Sequence, residues 1–165
     1  MQHATTMTRH RARRGLAAAL VLAALIAVPA AANASSREDE KLFALNMYHE
    51  ARSGGRDGMV AVGWVVLNRI KDKGFPNTIR GVILQGGPKP PCEWGWTCDR
   101  RKDQPASAKH WRLAQQVARQ MLGRNRPADP TGGALWLHET WRSPPAYTQG
   151  LRQTARIGEN VFYAR

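Results

Sequence analysis

The stretch Asn46–Ile70, "NMYHEARSGGRDGMVAVGWVVLNRI", decides the fold because it predicts two helices joined at a glycine break. Phe43, Met47 and Glu50 recur at helical spacings of four and three residues, and the glycine pair at 54–55 predicts the end of the first helix. The segment after the break is apolar nearly all round, which is typical of a helix buried in the middle of a domain. Glu50 is therefore expected in the last turn of the first helix, on the face that carries Phe43 and Met47.

The Glu50 carboxyl group has two interpretations, one catalytic and one structural. Partial burial raises the pKa of a carboxyl group because it disfavours the anion. A glutamic acid that stays protonated near neutral pH can donate the proton that glycosidic cleavage requires at the leaving oxygen. The alternative is a solvated residue on the rim of the helix end.

Patterns for other chemistries are missing from the sequence, which has no GxSxG elbow, no HExxH zinc motif and no phosphate-binding loop. His49, His110 and His138 are scattered without metal-ligand spacing. We therefore expect neither a metal nor another cofactor.

The first 34 residues have the organisation of a signal peptide. Four arginines precede a short apolar core, Leu16–Val28, and small residues at Ala32 and Ala34 predict cleavage after Ala34. The core is shorter than the roughly 18–20 residues of a spanning helix, and an uncleaved membrane anchor is the alternative. The sequence thus predicts a signal peptide over 1–34 and one exported domain over 35–165, either periplasmic or secreted and associated with the cell wall.

The charge of the chain favours a polyanionic partner. The 165 residues carry a formal net charge of +13, and removal of the leader leaves +9 on 131 residues. In an exported protein, acidic polymers of the cell envelope are better candidates than nucleic acid, and we expect no nucleic-acid partner. The alternative is a charge that reflects an arginine-rich proteome. The length suits a single domain with a modest core, expected to be a monomer without membrane insertion after cleavage.

The only two cysteines, Cys92 and Cys98, lie in a tryptophan-rich loop, "PCEWGWTCD". An even count in an exported chain predicts a disulfide that pins this loop. Flat apolar rings stack on sugar faces, so the aromatic side chains predict a glycan-binding groove, with core filling as the alternative. The candidates for the groove are Trp94, Trp96, Trp136, Trp141 and Tyr163.

The remaining patterns predict a small α+β domain that is mainly helical. A short helix is expected within 77–85, and an amphipathic helix is expected within 105–125, ending at Gly123. The segments "ALWLHET" at 134–140 and "ENVFYAR" at 159–165 are typical of short strands that pair into a small antiparallel sheet.

Five stretches of the chain form a set of motifs, in chain order "YHEARSGGRDGMVAVGWVVLNRI", "FPNTIRGVI", "CEWGWTCD", "ADPTGGALWLH" and "ARIGENVFY". Together they resemble the motifs of the SleB-like family of spore-cortex-lytic enzymes and cell wall hydrolases. The resemblance implies a lysozyme-like or lytic-transglycosylase-like domain that cleaves peptidoglycan between N-acetylmuramic acid and N-acetylglucosamine, with Glu50 as the catalytic acid. It also implies substrate-binding positions, to which the aromatic pattern adds Tyr163: Arg52, Asn68, Arg69, Trp96, Asp129 and Thr131.

Two positions depart from the family pattern. The loop reads Glu93-Trp94-Gly95-Trp96 where the family often has Gln-Phe-Ser-Trp, and Asn160 stands where a histidine is common.

The resemblance favours a lytic transglycosylase that needs one acid and forms a 1,6-anhydro product. Hydrolysis with a second acid, from Asp129 or Glu93, is the rival. A non-catalytic wall-binding module is the alternative from a different class.

Overall fold

The computed structural model describes residues 30–99 and 104–165, with side chains described from residue 36 onwards apart from that gap. Most of the predicted signal peptide lies outside these residues. The predicted cleavage point after Ala34 falls within the first helix, and the division of the chain there stays a prediction. In the described part of the chain, no helix combines the length and the apolar character needed to cross a membrane.

In the residues that the structure describes, four α-helices and three strands form the domain. The helices are α1, Ala30–Ala51; α2, Gly55–Lys71; α3, Ile79–Ile83; and α4, Ala108–Leu122. The strands are β1, Trp136–Glu139; β2, Arg152–Ile157; and β3, Asn160–Ala164. The predicted α+β fold, mainly helical with a short antiparallel sheet, is confirmed.

The apolar helix α2 lies in the middle of the domain, as its sequence predicts. It packs against α1, α3 and α4. Val62, Val65 and Val66 of α2 are fully buried, as are Phe43 and Met47 of α1. This core fixes the direction of α1, whose last turn carries Glu50 towards the sheet.

The sheet has the order β1-β3-β2, with both pairs antiparallel. The pairing of the two predicted strands is confirmed, since Trp136 lies opposite Tyr163 and Glu139 opposite Asn160. The strand β2 was not predicted because its sequence, "RQTARI", is polar and belongs to an exposed edge. The central strand β3 is buried over all of its five residues.

The turn between β2 and β3 packs directly on the corner between α1 and α2. Gly158 has a φ of +58°, and a Cβ atom there would lie 2.9 Å from the Cα atom of Gly54. Beside this contact, the Ser53 hydroxyl donates a 2.6 Å hydrogen bond to the Glu159 carboxylate. Two glycines therefore let the sheet turn meet the helix corner immediately behind Glu50.

Replacing Gly158 with alanine is expected to lower the free energy of unfolding by about 2 kcal/mol, from left-handed backbone strain and overlap with Gly54. Gly150→Ala is the matched control, because Gly150 also has a positive φ, +79°, but no atom within 4 Å of an added Cβ. Urea unfolding of both variants measures the difference. Equal losses would show that the close approach contributes nothing.

Candidate active site

A cleft of about 670 Å³ runs along one side of the domain. Its walls come from the last turn of α1, the cysteine loop, and β1 with the segment that follows it. The cleft contains Glu50 together with three of the predicted substrate-binding residues, Arg52, Arg69 and Trp96. The fold thus brings the proposed acid and the tryptophan loop into one cavity.

Three contacts, one from β3 and two from Trp96, hold the end of α1 in place. Asn160 of β3 donates a 3.1 Å hydrogen bond from Nδ2 to the backbone oxygen of Glu50. The His49 ring stacks on Trp96, with centroids 4.8 Å apart and planes 14° apart. Trp96 in turn donates a 2.9 Å hydrogen bond from Nε1 to Oδ1 of Asn46. Asn160, one of the two departures from the family pattern, therefore positions the peptide that carries Glu50.

Glu50 is partly buried, and its surroundings favour the neutral carboxyl group. The pKa of Glu50 is raised from 4.5 to about 7. Burial is the largest cause, the negative charge of Glu139 adds to the increase, and the charge of Arg142 opposes it. A carboxyl group with such a pKa is protonated in a large fraction of molecules near neutral pH. It can donate a proton and, once ionised, accept one.

The cysteine loop forms the wall facing α1, and the predicted disulfide between Cys92 and Cys98 is confirmed. Trp94 and Trp96 of this loop are nearly buried, and Trp94 donates a 3.2 Å hydrogen bond to the Val82 backbone oxygen. Both roles predicted for the tryptophans, groove lining and core filling, therefore apply to Trp94 and Trp96. Each belongs to the core cluster and also lines the cleft.

The other predicted groove aromatics are placed differently. Trp136 lines the cleft, whereas Trp141 is 69% exposed beyond it. Tyr163 is buried, with its hydroxyl 3.0 Å from Nε2 of His138, and does not line the cleft. The role of Tyr163 in substrate binding stays a prediction, and its contacts are those of a residue that supports β1 and β3 from within.

Arg69 connects three parts of the cleft wall and is only 3% exposed. Its Nε atom donates a 2.6 Å hydrogen bond to the Leu135 backbone oxygen, and Nη1 lies 2.6 Å from Oε1 of Glu93. The guanidinium also lies over the rings of Phe75 and Trp94, 4.8 and 5.1 Å from their centroids. Burial lowers the pKa of Arg69, and the charge of Glu93 opposes that change. The donors of this side chain are thus directed largely at the protein.

Asn68, Asp129 and Thr131, also predicted to bind substrate, do not line the cleft. The Asp129 carboxylate accepts hydrogen bonds from the side chains of Thr131 and Asn68, at 2.6 and 2.9 Å, and from two backbone N–H groups. Burial alone would raise the pKa of Asp129, but these hydrogen bonds outweigh it and lower the pKa. The three residues fasten the "DPTGG" turn to α2, and β1 starts three residues after that turn. Their substrate-binding roles stay predictions.

The acids available beside Glu50 differ from those expected. Glu93 lines the cleft but is paired with Arg69, and Asp129 does not line it. Glu139 at the end of β1 does line the cleft, 3.3 Å from Nε of Arg142. The sequence contained a signal for Glu139, since it lies two residues after the apolar Leu137 on a predicted strand and therefore shares its face. In the described part of the chain, no three acids, histidines or cysteines are grouped so that they could hold a metal.

Glu50 is a partly buried acid on the last turn of a helix, and it faces a small antiparallel sheet across a tryptophan-lined cleft. This arrangement defines a lysozyme-like α+β domain. Within that class, the family model for Cell Wall Hydrolase matches residues 53–163, and the chain belongs to this family. The resemblance seen in the sequence is thus confirmed. The match begins just after Glu50, so it does not itself address that residue.

Curated relatives of this chain are named spore cortex-lytic enzymes. The spore cortex-lytic enzyme of Bacillus cereus is 28% identical over 131 residues, which are 79% of this chain and 46% of that protein. The spore cortex-lytic enzyme of Oceanobacillus iheyensis is 29% identical over 128 residues, 77% of this chain and 42% of that protein. The chain therefore spans less than half the length of these curated relatives.

Two solved structures share the fold. The catalytic domain of the Bacillus cereus SleB protein superposes with a TM-score of 0.59 at 27% identity, over 78% of this chain and 91% of that one. The catalytic domain of the germination-specific lytic transglycosylase SleB from Bacillus anthracis gives a TM-score of 0.60 at 26% identity, over 78% and 95%. The similarity thus covers nearly the whole of both catalytic domains.

Proposed function

We propose that this domain cleaves the glycan strands of peptidoglycan between N-acetylmuramic acid and N-acetylglucosamine, as a lytic transglycosylase with Glu50 as acid and base. The observation that carries the proposal is the position of Glu50 in the cleft with a pKa raised to about 7. The names of the similar proteins, spore cortex-lytic enzyme and lytic transglycosylase, support the same class of reaction.

The reaction uses the Glu50 carboxyl group twice, first as an acid and then as a base. Protonated Glu50 gives its proton to the glycosidic oxygen, the bond from that oxygen to C1 of the muramic residue breaks, and positive charge develops at C1. The resulting Glu50 carboxylate then takes the proton of the C6 hydroxyl of the same sugar, whose oxygen bonds to C1. The products are a 1,6-anhydromuramic end and a free N-acetylglucosamine hydroxyl, and Glu50 is protonated again.

The surroundings of the cleft suit this substrate. Trp96 and Trp136 offer ring faces and edges to the sugars, and Arg52 and Arg142 offer positive charge to peptide carboxylates. We infer that the predicted signal peptide exports the chain to the cell envelope, where the +9 charge of the cleaved chain favours binding to anionic wall polymers.

Hydrolysis is the second candidate, and the presence of Glu139 in the same cleft supports it. A hydrolytic muramidase uses a second carboxylate to activate water or to form a covalent intermediate. Digestion of purified sacculi in water labelled with oxygen-18, followed by mass spectrometry, separates the two reactions. Anhydro ends without label are expected, whereas labelled reducing ends would establish hydrolysis. Binding of sacculi without any released fragment would instead establish a wall-binding module.

The pH dependence of cleavage follows from the pKa of Glu50. Since the first step requires the protonated form, kcat/KM is expected to fall about tenfold per pH unit above the pKa of about 7. Initial rates of fragment release between pH 5 and 9, at constant ionic strength, measure this limb. A rate that falls already above pH 5, as for an ordinary glutamate, would contradict the raised pKa.

A further inference from the structure

We propose that Glu139 is a positioning residue for the acid of this cleft: its carboxylate, placed opposite Asn160 at the end of β1, holds Glu50 in the protonated form. This inference rests on the proposed function, in which Glu50 must start each reaction with a proton. Glu139 has no counterpart among the residues that the family resemblance assigned.

The strand register places Glu139 beside the end of α1. Glu139 and Asn160 are directly opposite in the β1–β3 pair, so their side chains emerge on the same face of the sheet. The Asn160 side chain on that face reaches the backbone oxygen of Glu50 at 3.1 Å. Glu139 is therefore the acid that the sheet presents to Glu50, and both side chains line the cleft.

Glu139 is itself held at the end of its strand. The Thr140 N–H donates a 2.7 Å hydrogen bond to the Glu159 backbone oxygen, which continues the β1–β3 pairing past Glu139. Arg142 lies 3.3 Å from the Glu139 carboxylate, with the two side chains 57% and 35% exposed. Because both side chains are partly exposed, Arg142 neutralises the Glu139 charge only weakly. Both side chains line the cleft with Glu50.

The other charged groups of the cleft do not replace Glu139 in this role. The titratable and charged side chains that line the cleft besides Glu50 and Glu139 are His49, Arg52, Arg69, Glu93, Asp99, Arg142 and Tyr147. Glu93 is engaged with Arg69. After burial, the charge of Glu139 is the largest influence on the pKa of Glu50, and the charge of Arg142 follows with the opposite sign. A like charge favours the neutral form of its neighbour, and an opposite charge favours the ionised form.

The test measures kcat/KM for fragment release from soluble glycan chains between pH 5 and 9. In Glu139→Gln the alkaline limb is expected to move down by about 0.5 pH unit, a roughly threefold loss of rate at pH 8 with the rate at pH 6 kept. Arg142→Gln is expected to move the limb upwards by about the same amount, and the double variant is expected to return it towards the wild type.

Glu38→Gln is the matched control, because Glu38 is a 71% exposed side chain on α1, paired with Arg80 outside the cleft. It removes the same charge and is expected to leave the limb in place. Glu139→Asp is the second variant, for use if Glu139→Gln does not fold. It retains the carboxylate and is therefore expected to keep the alkaline limb at the wild-type pH. An NMR titration of the Glu50 carboxyl group gives the same shift without relying on activity.

Each unfavourable outcome has a distinct meaning. An unchanged limb in Glu139→Gln overturns the positioning role while the proposed function stands. Loss of activity at every pH, with the fold intact, also overturns it and makes Glu139 the second acid of a hydrolase. A wild-type protein that releases no fragments at any pH refutes the proposed function itself.

Discussion

Replacing Glu50 with glutamine is expected to reduce fragment release from sacculi by about 10²–10⁴-fold, because the amide keeps the shape of the side chain but cannot supply the proton. The contacts that orient the residue, the bond from Asn160 to its backbone oxygen and the packing of His49 on Trp96, do not involve the carboxyl group. The variant should therefore bind sacculi as the wild type does. Fragment release is measured by chromatography of the soluble products.

The stability of this variant provides an independent check on the environment of Glu50. The folded-state pKa, about 7, lies above the ordinary 4.5, so the folded protein binds the proton more tightly than the unfolded chain. Wild-type stability therefore falls as pH rises from about 4.5 to about 7, and Glu50→Gln removes that loss. The variant should be at least as stable as the wild type at pH 8.

Glu40→Gln is the control for both measurements, since Glu40 lies earlier on α1, outside the cleft and near Arg119. It should retain the activity of the wild type. Full activity in Glu50→Gln would remove Glu50 from the mechanism. A loss of activity accompanied by unfolding would instead assign a structural role to the carboxyl group.

The sequence predicted the parts of the fold that depend on local patterns. The apolar α2 and the helical spacing that leads to Glu50 are visible in the residues themselves. The paired strands at β1 and β3 are visible for the same reason. The strand β2 is not visible in the sequence, because its polar side chains are a weak signal for a strand and its pairing depends on the turn at Gly158. The turn at Gly158 packs against Gly54, which is distant in the sequence. A local sequence pattern therefore does not reveal this contact.

The candidate site was predicted less completely, because proximity in the cleft depends on the sheet register. Glu50, Arg52, Arg69 and Trp96 were expected together and do line one cavity. Glu139 was missed: its strand position gave the face of its side chain, but its pairing opposite Asn160 is what brings it to the end of α1.

The family motifs, for their part, do not distinguish side chains that contact a substrate from those that hold the walls. Asn68 and Asp129 are hydrogen-bonded to each other and do not line the cleft. Their contacts support the position of β1, and β1 carries Glu139. Residues of this kind can be essential to a site without contacting what it binds.

Arg69 tests that distinction most sharply, and Arg69→Met is expected to lower the free energy of unfolding by about 3 kcal/mol. The change leaves the Leu135 oxygen without its donor and the 31% exposed Glu93 side chain without its partner, and it weakens the contacts with two aromatic rings.

Arg52→Met is the matched control, because Arg52 also lines the cleft but is exposed, with its guanidinium 5.4 Å from the Tyr48 ring centroid. That change should cost well under 1 kcal/mol. Urea unfolding at pH 7 compares the two. If Arg69 acts only on substrate, Arg69→Met will unfold like the wild type and show a raised KM alone, whereas a structural role predicts a lower unfolding midpoint without any substrate present.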